Sequence, residues 1–262
     1  MIMVSSCIAS DIGIFSFTPE ECTDMQTHNV ITPKNPVACD RLRRVRFEHI
    51  DFEGKTTTGN IVVLDAVANQ VEKLFSKLFE LRFPIKKAVV MESYEGNDKV
   101  SMSENNTSAF NGRPITNGDG WSKHAYGVAI DLNPLQNPYI SFDDEGNAQI
   151  LPPASAKFFV NRNDVRPNKE KRAGLVEDVV EIFAQHGFMI WGGNWNYPID
   201  YQHFEIGSQK FIDNLLSQTP DAAREAFDLY AQHYRDCIAQ SREIDPVRKH
   251  VICVEKVQKE AG

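Results

Sequence analysis

Two short segments hold residue types that could do chemistry at a single point. One is Trp121-Ser122-Lys123-His124-Ala125-Tyr126-Gly127-Val128-Ala129-Ile130-Asp131, the other Asp200-Tyr201-Gln202-His203-Phe204-Glu205. Each reads as a loop running into a strand, where a rigid scaffold can aim side chains into a cleft. His124, Asp131 and His203 together offer two imidazoles and a carboxylate. A catalytic zinc ion takes three protein ligands of these types and keeps a fourth position for water. His124 and Asp131 lie seven residues apart, the wrong parity for one face of a flat strand. His124 therefore belongs on the turn before the strand, with Gly127 letting the chain bend. Spacing alone leaves a second reading open: two ordinary interior histidines and an aspartate that caps a turn. The chain has seven histidines, so such pairs also occur without a metal.

The elements that must position these segments follow from periodicity. Val45, Phe47 and His49 alternate as in a half-buried strand. The basic run Arg41, Arg43, Arg44 and Arg46 is then a solvated strand or turn that balances local acid. Leu64, Val67, Ala68, Val71, Leu74, Phe75, Leu78 and Phe79 recur at helical spacing, and Phe83-Pro84 ends that helix. Lys86–Tyr94 reads as a short strand. The polar stretch from Glu95 to Gly120 is longer than an idle loop usually is. Tyr126–Leu132 reads as a strand, Asn133–Asn147 as turns, and Leu175–His186 as a second helix with Gly187 at its C-cap. Phe188–Trp191 and Gln202–Ile206 are short strands separated by a loop. Thr219-Pro220-Asp221 opens a third helix with the stripe Ala223, Phe227, Tyr230, Tyr234 and Cys237 or Ile238, and Pro246 closes it. Helices and short strands alternate without a βαβ rhythm, which predicts an α+β fold.

Composition narrows the function classes. The chain has 262 residues, 42% hydrophobic and 24% charged, with a net charge of −8, as a folded globular protein does. The acidic balance argues against a nucleic-acid partner, and no apolar run reaches the roughly 18 residues a membrane-spanning helix needs. The first forty residues show no periodicity and read as an extension. The five cysteines are an odd number without a Cys-x-x-Cys pair, and buried free thiols are the simpler expectation. Cys7, in MVSSCIAS, resembles the end of a lipoprotein signal, yet no charged segment precedes it and the apolar stretch is short.

The residues around the two segments add a further signal. SKHAYGVAID followed by DYQHFE closely resembles the zinc D-alanyl-D-alanine carboxypeptidases of the VanY type, bacterial and phage enzymes that cut the peptide stems of peptidoglycan. NNTSAFNGRP, DLNPLQNPY, WGGNW and LFELRFPI are similar to one branch of that family, so the resemblance runs from about Val45 to Glu205. It implies the hedgehog/DD-peptidase fold, a small antiparallel sheet carrying the zinc site with packed helices. It implies one Zn2+ per chain on His124, Asp131 and His203, and Asp200 as general base. It implies that Arg113 steadies the substrate carbonyl and that Ser122 helps hold a substrate carboxylate. The implied partner is a peptidoglycan peptide, and the implied setting is extracytoplasmic. An L-alanyl-D-glutamate endopeptidase and a non-catalytic zinc-bearing module are the alternatives. The expected organisation is an N-terminal extension (1–44), a catalytic domain (45–210) and a C-terminal helical extension (211–262).

Several residues near the motifs carry two readings. Glu205, two positions after His203 and on the same strand face, orients that ligand or pairs with a nearby base. Trp191 and Trp195 pack over Gly192-Gly193 or wall the cleft. Asn106, Thr107 and Ser108 satisfy loop backbone or meet substrate. His186 fits a helix C-terminus, while His28, His233 and His250 are surface or packing residues.

Overall fold

A computed structural model describes residues 12–115 and 120–261 of the chain; Cys7 lies outside them. Three small antiparallel sheets are packed with helices, a mixed α+β architecture. In the first sheet, β1 (Gly13–Ser16), β2 (Leu42–Ile50) and β3 (Thr56–Leu64) lie in that order. β2 alternates as its sequence requires: Val45, Phe47 and His49 are buried, while Arg44 points outward to Glu21 at 2.7 Å. The helical stripe over residues 64–79 is shorter than expected. α2 spans Ala68–Glu80 and buries Val71, Leu74, Phe75 and Leu78, whereas Leu64 belongs to β3. Phe47 stacks on Phe75 with centroids 3.8 Å apart, which seats α2 on β2. β3 escapes sequence reading because its last four residues are all buried, so its apolar run lacks the alternation that marks a half-exposed strand.

Residues 12–40 are better organised than their composition predicts. Besides β1 they form α1 (Pro19–Thr27), opened by a capping box. Glu21 N–H donates to Thr18 Oγ1 at 3.2 Å, and Thr18 N–H donates to Glu21 Oε2 at 2.8 Å. The expectation of free cysteines is also corrected. Cys22 pairs with Cys39 and Cys237 with Cys253, with Cα atoms 5.9 and 5.6 Å apart, within the ordinary disulfide range. Each bridge joins segments 17 and 16 residues apart in sequence, too far for a short-motif signature.

Past α2, residues Lys86–Tyr94 do not join a sheet. The Asn106 amide bonds both Val89 N–H (2.8 Å) and Val89 C=O (2.9 Å), so a side chain takes the place of a strand ladder. The polar stretch that follows contains the short α3 (Asp98–Ser103), capped by Asn97. The other two sheets are built from β4 (Ala129–Asp131), β5 (Tyr139–Phe142), β6 (Ala148–Leu151), β7 (Ile190–Trp191), β8 (Ile199–Asp200) and β9 (His203–Glu205), in the orders β4-β9-β7 and β6-β5-β8. The β5–β6 hairpin corrects the turn-only reading of residues 133–147. Asp143 Oδ1 accepts from Glu145 N–H and Asn147 N–H, a side-chain-built turn. The expected helix over residues 175–186 divides into a 3₁₀ turn (Val176–Asp178) and α4 (Val180–Gln185). His186 is its C-cap, and Gly187 follows in the left-handed region at φ +90°, where any Cβ would lie 2.5 Å from the Phe227 ring.

The C-terminal part holds α5 (Gln209–Ser217), α6 (Pro220–Gln240) and α7 (Pro246–Ala261). Thr219 caps α6, and Ala223, Phe227, Tyr230 and Tyr234 are buried as the stripe requires. Pro246 does not end the helical region. It opens α7, where a missing N–H costs nothing. The Cys237–Cys253 bridge fixes α7 to α6, and Gln258 on α7 donates to Ile206 C=O at 3.1 Å, directly after β9. One apolar cluster runs from Met25 through the sheets to Val257.

Candidate metal centre and its cleft

The two chemistry-bearing segments meet because β4 and β9 pair antiparallel with Asp131 opposite His203 and Ile130 opposite Phe204. Phe204 turns into the core, stacked on Phe183 at 3.9 Å. The two-residue period of a strand then puts His203 and Glu205 on the opposite face. Ser108 and Asp131 exchange backbone hydrogen bonds of 3.0 and 2.8 Å on the other edge of β4. His124 sits on a 3₁₀ turn (Lys123–Tyr126) before β4, as the parity argument requires. Gly127 ends that turn at φ +69°. Its carbonyl accepts from Leu64 N–H at 2.9 Å, and a Cβ would lie 2.6 Å from the Leu64 nitrogen. Glycine is therefore required twice there, for the left-handed backbone and for the close approach.

His124, Asp131 and His203 are all buried, and one ligand atom from each lies within 4.8 Å of the others. His124 Nε2 is 3.2 Å from His203 Nδ1 and 3.3 Å from Asp131 Oδ2, while His203 Nδ1 is 3.1 Å from Asp131 Oδ1. The outward nitrogens fix the tautomers. His124 Nδ1 lies 2.5 Å from Ala109 C=O, which can only accept, so Nδ1 carries the proton and Nε2 presents its lone pair to the cluster. His203 Nε2 donates to Glu205 Oε2 at 3.0 Å, leaving Nδ1 facing inward. Glu205 is thus bound to His203 rather than to a base. Burial opposes charge on His203, yet its bonds to Asp131 and Glu205 raise it to about 10. Burial likewise opposes charge on Asp131, and the two imidazoles hold it well below the usual carboxylate range. A tetrahedral ion with bonds of about 2.0–2.1 Å sets its ligand atoms about 3.3–3.4 Å apart; the two imidazole nitrogens already stand at 3.2 Å, each meets a different Asp131 oxygen, and the donor types fit a small cation.

The cluster opens into a cleft of about 530 Å³ that also contains Arg113, Ser122 and Asp200. Asp200 ends β8 and is 9% exposed, with Oδ1 unpartnered. Burial, reinforced by the Asp131 charge, pushes it up to about 7. Gly192 lets the following turn lie against it, since a Cβ there would be 2.5 Å from Asp200 C=O. Arg113 forms an ion pair with Asp98 on α3, whose other carboxylate oxygen accepts from Asn111 Nδ2 at 2.6 Å. Ser122 Oγ caps the 3₁₀ turn by accepting from His124 N–H at 3.3 Å, and its own proton is left for the cleft.

Sequence reading missed Asp98, which precedes Arg113 in no recognisable pattern. It also missed Lys123, Tyr139 and Tyr197, which line the same cleft. The tryptophans divide. Trp191 packs on Phe204 and bonds Tyr201 C=O at 2.8 Å, whereas Trp195 lies against the His203 ring and walls the cleft. Asn106 and Thr107 serve backbone; Ser108 lines the cleft. His250 is packed between Tyr234 and Glu181.

Residues 116–206 match the model of a family described as D-alanyl-D-alanine carboxypeptidase. The chain matches no curated protein and no solved structure. The matched segment contains His124, Asp131, Asp200 and His203, with Arg113 just before it. The matched segment covers about a third of the chain, and over it the chain is similar to that family.

Proposed function

We propose that this protein is a zinc peptidase that removes the terminal D-alanine from peptidoglycan stem peptides, on a fold of the hedgehog/DD-peptidase kind. The carrying observation is the closed His124–Asp131–His203 triangle beside a buried, unpartnered Asp200 in one cleft. Two nitrogens and one carboxylate, each outward nitrogen already tied, are the donor set of a catalytic zinc site with one position open. When bound, zinc supplies Lewis acidity, which lowers the pKa of water at that position to about 7.

The chain's own residues do the rest. Asp200 accepts the proton of the attacking water at a carboxylate oxygen and returns it to the leaving amine nitrogen as the amide C–N bond breaks. Arg113, steadied by Asp98, presents N–H groups to the substrate carbonyl oxygen, where negative charge develops. Burial around the cleft strengthens both interactions by lowering the local dielectric. Glu205 holds His203 in the ligating tautomer. Glu205→Ala is expected to weaken zinc affinity about 10- to 100-fold, read by competition with a chromogenic chelator. The two disulfides support an oxidising, extracytoplasmic setting.

The test combines metal analysis with digestion. Protein purified without chelator should carry one zinc per chain and release a single terminal D-alanine from defined muropeptides, followed by mass spectrometry. Cleavage between L-Ala and D-Glu would move the assignment to the endopeptidase. One zinc without cleavage would favour a binding module, and absence of zinc would overturn the ligand set.

A further inference from the structure

The cleft carries three cationic side chains beyond the histidines: Lys99, Arg113 and Lys123. Lys99 is exposed on the rim. Arg113 is already compensated by Asp98. Lys123 differs from both. It is half-buried, one residue before His124, and among the described residues it makes no ion pair. Its Nζ donates once, to Gln209 Oε1 at 3.0 Å. Gln209, at the start of α5, is itself oriented by donating Nε2 to Asp213 Oδ1 at 2.9 Å. The carboxylates whose charge reaches Lys123 are Glu205 and Asp213, and both are engaged elsewhere, Glu205 by His203 and Asp213 by Gln209. An ammonium has three donors, so two remain. A partly desolvated ammonium with donors to spare is stabilised by an anion that brings its own charge.

The geometry points to Lys123 as the residue that reads a carboxylate of the peptide substrate. Lys123 lines the cleft, Gln209 takes only one of its three donors, and the substrate is a peptide with a free carboxylate close to the scissile bond. This rests on the peptidase reading above and assigns the role to a residue separate from Arg113 and the metal triangle. Two substrate carboxylates share this chemistry: the C-terminal one, and the α-carboxylate of an internal D-Glu.

The experiment uses full-length protein and two matched substrate pairs. One is a tripeptide ending in D-Ala-D-Ala as free acid and as C-terminal amide. The other is a stem peptide with D-Glu or with its α-amide. In wild type the kcat/KM ratio of acid to amide should be high for one pair, and the affected pair identifies the carboxylate. In Lys123→Met that ratio should fall about 10- to 100-fold, mainly through KM, while Lys123→Arg retains most of it. An equal ratio in wild type and Lys123→Met, for both pairs, overturns the proposal. Should wild type hydrolyse neither pair, the peptidase reading fails, and calorimetric binding of the same peptides decides Lys123 separately. Acid-selective binding lost in Lys123→Met upholds the role; binding unchanged in the variant, or no binding to wild type, overturns it. Zinc content and thermal midpoint of each variant report whether it has folded.

Discussion

Asp200→Asn should retain one zinc per chain and lose about 10²- to 10⁴-fold in kcat, the range a positioned general base contributes. The substitution is close to isosteric, and Asp200 lies outside the His124–Asp131–His203 triangle, so the fold and the donor set should persist. Asp200 Oδ1 is buried without a hydrogen-bond partner, and the carboxyl is already pushed up to about 7 by burial and by Asp131. Its place in the cleft is therefore not that of a structural ion-pair member. An asparagine amide cannot take a proton from water at neutral pH, and the loss should appear in kcat more than in KM. The check is steady-state kinetics on the D-Ala-D-Ala peptide alongside metal analysis. Turnover within about three-fold of wild type would sink the base assignment.

Removing a ligand should be more drastic. His124→Ala deletes one corner of the triangle and leaves Ala109 C=O without its imidazole partner. Zinc per chain should fall to near zero after dialysis, with hydrolysis at the uncatalysed background. The same state should be reached in wild type by chelation and reversed by added zinc. A second readout needs no substrate. Zinc that binds only the native state stabilises it by about 4 kcal/mol at a thousand-fold excess over Kd, a rise of roughly 8–15 °C in Tm for a domain of this size. Wild type should show that rise and His124→Ala should not. Equal zinc-induced shifts in the two proteins would show that the ion binds elsewhere.

The legible parts of the fold were those in which one face is wet. β2, with Val45, Phe47 and His49 alternating against arginines, and α6, with its Thr219 cap and aromatic stripe, carry periods that sequence alone reveals. The turn position of His124 also followed from parity and Gly127. The illegible parts had other causes. β3 is buried along its last four residues and lost its alternation. Lys86–Tyr94 looked like a strand, but the Asn106 side chain took its backbone bonds. The β5–β6 hairpin and α1 rest on side-chain-built turns and caps rather than on apolar pattern. The disulfides join cysteines 16 and 17 residues apart, a pairing that depends on how α6 meets α7 and how α1 meets the 3₁₀ turn before β2.

The sequence alone supplies the donor types, two histidines, two aspartates and an arginine, and it is their resemblance to zinc carboxypeptidases that proposes a hydrolytic site. Tertiary structure alone decided how they are brought together. The pairing of Asp131 with His203 across β4 and β9 closes the triangle from residues 72 apart. Ala109 and Glu205 choose which imidazole nitrogens face inward. Asp98 on α3 gives Arg113 its counter-charge, and Gln209 on α5 accepts from the Lys123 ammonium. Residue type fixes what a group can donate or accept, whereas direction, burial and counter-charge are properties of neighbours that only the folded chain supplies.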